Sequence, residues 1–253
     1  MKLSIYPQPS ASSVNQRNQR SKLLAIQNCE IEGFGLYERH LRHRGIAYNV
    51  IHAYRDEPLP PIETVDGLLI GGTPISAYAA EAHPFLRREM AYLEQAIAAG
   101  IPCFGICCGA QMLAQILGAP VHKCAQMEIG SYRVRLTDAG QHDPLLTGFP
   151  EQFPVFHWHG DTFEIPEGGA LLVEGAGCRH QLFRHGAILG VQFHLEATPG
   201  QIELWTEAYA DELAALGKSK AQLMQEYREH ESEMAALAAR LMDNWIAGIL
   251  PAS

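Results

Sequence analysis

The segment Gly105-Ile106-Cys107-Cys108-Gly109 constrains the fold of this chain more than any other. It ends an apolar run, Ile101-Pro102-Cys103-Phe104, and opens a helix-like run, Ala110-Gln111-Met112-Leu113-Ala114-Gln115-Ile116-Leu117, so a strand must turn sharply into a helix at Cys107. Glycines on both sides relieve the crowding of such a turn. The turn lifts one side chain clear of the sheet, and the dipole of the following helix favours a thiolate there. This is a nucleophile elbow. Further along, Phe193-His194-Leu195-Glu196 supplies an imidazole to take the thiol proton and a carboxylate to hold that imidazole in the right tautomer. Cys107, His194 and Glu196 are the candidate catalytic triad.

The elbow sits in a chain whose first half alternates strands with helices. Leu23 to Gln27 reads as a strand, Gly33 to Arg44 as a helix and Ile46 to Ala53 as a second strand. Asp66 to Ile70 is a buried strand that ends in Gly71-Gly72, and Pro84 to Ala99 is a helix with Leu86, Met90, Leu93 and Ile97 on one face. This alternation predicts an α/β fold with a mostly parallel sheet flanked by helices, and a site at the carboxyl ends of its strands. From Tyr132 to Val191 the pattern shifts to short strand-like runs (132–136, 154–158, 170–174, 181–184 and 188–192), so the second half is β-rich and partly antiparallel. Thr198-Pro199 caps a helix running to about Leu216, and Lys220 to Ile249 forms a further helix carrying Leu223, Tyr227, Met234, Leu237 and Leu241 on one stripe. The domain reading is an irregular Ser-, Gln- and Asn-rich arm at 1–20, one domain at 21–216, and a C-terminal helical extension at 217–253 packed on that domain.

Net charge of −9 across 253 residues, with dispersed basic groups, disfavours nucleic acid and membrane as partners. No apolar run approaches a membrane span, and Met1-Lys2-Leu3-Ser4-Ile5-Tyr6-Pro7 meets a proline before a signal-peptide core can build, so the protein is expected in the cytoplasm. Six cysteines without C-x-x-C pairs read as reduced thiols, and Cys29, Cys103, Cys124 and Cys178 as small core residues. Neither a metal nor another cofactor is expected.

Four ordered motifs are similar to those of the class I (triad) glutamine amidotransferases, especially stand-alone proteins like the glutaminase domain of GMP synthase. They are Leu69-Ile70-Gly71-Gly72-Thr73-Pro74, Gly105-Ile106-Cys107-Cys108-Gly109-Ala110-Gln111, His157-Trp158-His159-Gly160-Asp161 and Gln192-Phe193-His194-Leu195-Glu196, and the resemblance spans Leu23 to Tyr209. It implies a flavodoxin-like core in which Cys107 attacks the side-chain amide of glutamine, forms a γ-glutamyl thioester and releases ammonia, with His194 as base and then acid and Glu196 as its orienter. It also implies an oxyanion hole from the backbone N–H groups of Gly72 and Cys108, and a glutamine pocket lined by Gln111, His159, Gly160 and Asp161. The chain departs from the family pattern at Cys108 and Ala110, where bulkier residues are usual. After Glu196 it has no acceptor domain with a phosphate-binding loop, so ammonia would pass to a synthase in trans.

Three other readings use the same residues. A γ-glutamyl peptide or amide hydrolase would apply the triad to another leaving group. A silent regulatory module would keep the fold without the chemistry, although such a module has no physical need of an intact triad. The His157-x-His159-x-Asp161 spacing also resembles part of a zinc-hydrolase cluster, but Thr162 stands where that pattern has histidine.

Overall fold

Five strands of the parallel half run in one direction, and their carboxyl ends form a single edge. The computed structural model describes residues 23–249, so the arm expected at 1–20 and the last four residues of the extension lie outside the described residues. In chain order the strands are β1 (Leu23–Gln27), β2 (Tyr48–His52), β3 (Gly67–Ile70), β4 (Cys103–Ile106), β5 (Val121–Leu136), β6 (Gln152–Phe163), β7 (Ala170–Glu174), β8 (His180–His185) and β9 (Ile188–Val191). They make one sheet in the order β2-β1-β3-β4-β9-β8-β7-β5-β6. The pairs β1–β2, β1–β3, β3–β4 and β4–β9 are parallel, and the remaining four are antiparallel.

The helices are α1 (Gly35–His43), α2 (Pro84–Ala98), α3 (Cys108–Ile116), α4 (Asp138–His142), α5 (Pro199–Ala208), α6 (Ala210–Ala215) and α7 (Lys220–Ile249). Strands buried on both faces need two cores, and alternate residues of β1 supply them: Leu23 and Ala25 join one cluster, Leu24 and Ile26 the other. The first cluster also takes in the α7 stripe of Leu223, Tyr227, Met234, Leu237 and Leu241. Trp245 of α7 lies 5.4 Å from the Phe104 ring of β4, and His40 of α1 is bonded to Asp243 at 2.9 Å.

Two elements differ from the sequence reading. β5 begins at Val121, well before Tyr132, because its first part is polar and broken by a bulge between Lys123 and Glu128 that hides the period-two pattern. The helix expected to run unbroken to Leu216 is interrupted at Tyr209, whose φ of −116° and ψ of 36° leave the helical region.

Candidate active site

Cys107 occupies the turn between β4 and α3 with φ 51° and ψ −112°, a strained conformation for a residue with a Cβ. The flanking glycines are fixed by close packing. A Cβ on Gly105 would sit 2.5 Å from the Gly109 carbonyl, and one on Gly109 would sit 2.5 Å from the Ile70 carbonyl. The Cys107 N–H is tied to the Val191 carbonyl at 2.7 Å, so the elbow is anchored to the end of the neighbouring strand β9.

That parallel pairing of β4 with β9 brings the sequence-distant motifs together. Directly after β9, Gln192 points its Nε2 at Cys107 Sγ, 3.6 Å away, and His194 follows with its backbone N–H bonded to the Phe156 carbonyl at 2.8 Å. His194 Nδ1 donates to Glu196 Oε1 at 2.5 Å. Its second ring nitrogen is thereby left free of Glu196, and Cys107 is close enough to contribute to the shift of the His194 pKa. Burial pulls the His194 pKa down, but the charge of Glu196 and the bonds to Cys107 and Glu196 outweigh it and set the value well above 6.5. Glu196 is held from behind: its carbonyl accepts the Leu36 N–H at 2.7 Å, and Gly35 has φ 41° where a Cβ would fall 2.1 Å from that same oxygen. Thr198, the N-cap expected at the start of α5, also forms a capping box with Gln201, and Gln201 Nε2 reaches the Gly33 carbonyl at 2.7 Å.

The second parallel neighbour, β3, delivers Gly71-Gly72 to the same edge. A Cβ on Gly72 would lie 3.5 Å from Cys107 Cβ, so the two backbones nearly touch. The Cys108 thiol turns away and donates to the Ile75 carbonyl at 3.2 Å, and burial raises its pKa well above the usual thiol value. A neutral, buried thiol of this kind is unreactive, which leaves the backbone N–H as what Cys108 offers the cavity.

Behind the Gly71 turn, Asn28 Nδ2 bonds the Gly71 carbonyl at 3.2 Å and Glu89 Oε1 at 3.1 Å. Glu89 is fully buried, and burial pushes its carboxyl from 4.5 up to about 8 against the opposing Asn28 bond. Below 4.5 both folded and unfolded chains carry the proton; between 4.5 and about 8 only the folded chain does, so stability falls as pH rises through that window. Glu89→Gln removes this dependence. Thermal or urea unfolding should show the variant gaining on the wild type by roughly 3–5 kcal/mol between pH 4.5 and pH 8.

A cavity of about 440 Å³ opens over Cys107, a volume that suits a small-molecule ligand. Gln111, His159, Gly160 and Asp161 all line it, as do Cys108 and His194. Gln111 Nε2 bonds the Asp161 carbonyl at 3.1 Å and Gln192 Oε1 at 3.2 Å, so it also braces the side chain that faces the sulfur. The Asp161 carboxylate accepts from Ser76 Oγ at 2.5 Å and Tyr78 OH at 3.4 Å. It therefore does not join His157 and His159, whose rings meet at 3.1 Å, and the zinc-hydrolase grouping is not assembled.

Sequence reasoning missed Gln192 as a partner of the sulfur, because its role depends on which strand neighbours β4. It also missed Glu32, which lines the cavity, accepts from Tyr209 OH at 2.7 Å and places Oε2 2.7 Å from where a Gly72 Cβ would be. Burial raises the Glu32 pKa, with the Tyr209 bond acting the other way. Cys124, read as a core residue, instead lines the cavity half-buried, close to Cys178 and His159.

Comparison with known proteins places the chain in a family. Residues 27–205 match the family model described as glutamine amidotransferase class-I. The chain is 34% identical over 193 residues to a putative glutamine amidotransferase-like protein of Salmonella typhimurium, covering 74% of this chain and 81% of that one. It is 32% identical over 167 residues to a glutamine-hydrolyzing GMP synthase of Borreliella burgdorferi, which covers 64% of this chain but 30% of that longer protein. The crystal structure of a glutamine amidotransferase from Thermotoga maritima superposes with a TM-score of 0.83 at 31% identity, covering 90% of this chain and 98% of the other.

Proposed function

We infer the reaction from one premise: the chain belongs to the class-I glutamine amidotransferase family of enzymes. We propose that it hydrolyses the γ-amide of glutamine through a thioester on Cys107. The observation that carries this reading is the strained elbow that presents Cys107 to a buried histidine already bonded to Glu196 at 2.5 Å.

In the proposed cycle the Cys107 thiolate attacks the γ-carbonyl carbon, and the oxygen becomes an oxyanion facing the N–H groups of Gly72 and Cys108. The ring nitrogen of His194 that faces Cys107 carries the sulfur's proton and gives it to the departing nitrogen, so the C–N bond breaks and ammonia leaves. Water then surrenders a proton to His194 and attacks the thioester, the C–S bond breaks, and glutamate and the thiol are restored. Glu196 holds His194 in the required tautomer and stabilises the imidazolium. Gln111, His159, Gly160 and Asp161 shape the pocket for the rest of the substrate, and Glu32 adds a carboxylate on the Gly72 side where an α-ammonium group can be met. We assign these roles to residues 21–216 and treat 217–253 as an extension that supports the domain.

In the Borreliella relative the matching segment is 30% of a longer GMP synthase, so a synthase acting in trans is the partner class this reading calls for. The test is release of glutamate and ammonia from glutamine, from γ-glutamyl amides and from γ-glutamyl peptides by the purified chain. The highest kcat/KM is expected with glutamine. A clear preference for γ-glutamyl peptides would replace the amidotransferase reading with peptide hydrolysis by the same triad, and no turnover of any of them, with Cys107 unreactive toward a glutamine-like electrophile, would indicate a partner-dependent subunit or a silent module.

A further inference from the structure

Beside the cavity the fold sets two thiols for which the proposed reaction has no use, Cys124 and Cys178, against the pocket residue His159. Cys124 lies on the β5 bulge, Cys178 on the connection between β7 and β8, and His159 on β6. Cys124 Sγ is 3.6 Å from Cys178 Sγ and 3.6 Å from His159 Nδ1, and the three donor atoms all fall within 4.8 Å of one another. We propose that Cys124, Cys178 and His159 form a binding site for a zinc-class divalent cation in the wall of the active-site cavity.

The Cys124–Cys178 and Cys124–His159 spacings match those of a tetrahedral site. With metal–sulfur bonds of about 2.3 Å and metal–nitrogen bonds of about 2.0–2.1 Å, two thiolates stand about 3.8 Å apart and a thiolate and an imidazole nitrogen about 3.6 Å apart. A disulfide would need the sulfurs at about 2.05 Å and would leave His159 outside it. The far nitrogen of His159, Nε2, lies 3.1 Å from Glu128 Oε2 and Glu128 is buried, which is the carboxylate–histidine–metal arrangement that fixes a ligating imidazole. Glu128 is fixed in turn by the Cys178 N–H at 3.1 Å.

Turning His159 Nδ1 to a cation gives up its present 3.0 Å contact with the Asp161 carbonyl, but that carbonyl keeps the Gln111 bond at 3.1 Å. No buried acceptor is therefore orphaned. Cys124 and His159 both line the cavity, which supplies a path of entry and a water for the fourth position. Binding converts both thiols to thiolates and releases their protons to solvent, so a divalent cation leaves the cluster with no net charge. The ion would tie the bulge, β6 and the 175–178 connection into one piece.

The test uses the full chain carrying Cys107→Ser and fully reduced, so that the nucleophile contributes no sulfur and no turnover is needed. Zinc titration against a chromophoric chelator should give one tight equivalent, and cobalt should give a thiolate-to-metal charge-transfer band. Cys124→Ser and Cys178→Ser should each weaken zinc by more than the roughly 10–100-fold that outer-shell changes cost. X-ray absorption of the zinc-loaded protein gives an answer independent of how those variants fold, and two sulfur neighbours with nitrogen or oxygen completing the shell are expected. Absence of a tight equivalent, a shell without two sulfurs, or affinity unchanged in a folded double variant would overturn the proposal. Glutamine turnover by the metal-free wild type reports separately on the reaction.

Discussion

Replacing Cys107 with alanine is expected to lower kcat for glutamine hydrolysis by roughly 10⁴- to 10⁶-fold, the range seen when the nucleophile of a cooperating triad is removed. The loss is of chemistry, since the Gly72 and Cys108 N–H groups and the cavity walls are untouched. KM should change little if binding is set by those walls. Stability should also change little, because alanine keeps the Cβ and hence the strain at φ 51° and ψ −112°. Cys107→Gly separates the two effects. It is equally inactive, but freed of the Cβ it should be stabilised by about 1–3 kcal/mol in urea unfolding. An alanine variant with activity within tenfold of wild type would remove Cys107 from the mechanism.

Glu196→Gln is expected to cost roughly 10²- to 10⁴-fold in kcat while leaving the fold intact. The glutamine amide can donate to His194 Nδ1, which forces the ring proton onto the other nitrogen, the one facing Cys107. That nitrogen then cannot accept the sulfur's proton. The pH behaviour provides a second readout. Burial depresses the His194 pKa, and Glu196 with Cys107 reverses this and raises it well above 6.5. A raised folded value adds stability that is complete below the unfolded value of 6.5 and fades as pH rises through the folded one. The stability gap between wild type and variant should therefore be widest at pH 6 and below and shrink as pH increases through the raised value. NMR titration of the imidazole should show the variant's His194 titrating at lower pH. A gap that widens with pH would contradict the assigned pairing.

The legible parts of the molecule are those in which local chemistry and global position coincide. Gly105 and Gly109 announce the elbow because a Cβ at either is excluded by backbone 2.5 Å away. His194 and Glu196 could be paired from sequence because residues two apart can meet across one short turn. Thr198-Pro199 carried its helix start in the residue types themselves. Illegible features depend on which strand neighbours which. Gln192 meets Cys107 because β9 adds to β4, and no periodicity encodes that adjacency. The early part of β5 was hidden by its bulge, and with it the fact that Cys124 would face Cys178 and His159 across separations of 54 and 35 residues. Glu32, on the connection after β1, reads as an ordinary surface acid until the cavity closes around it.

The measurement that bears most directly on the account is intact-protein and peptide mass spectrometry after incubation with a glutamine analogue carrying an electrophilic diazoketone at the γ-position. Alkylation with loss of dinitrogen should place a single adduct on Cys107, suppressed by excess glutamine and absent from the Cys107→Ala variant. An adduct on Cys108 or Cys124, or an unlabelled Cys107 in protein that still hydrolyses glutamine, would contradict the claim that Cys107 attacks the γ-amide.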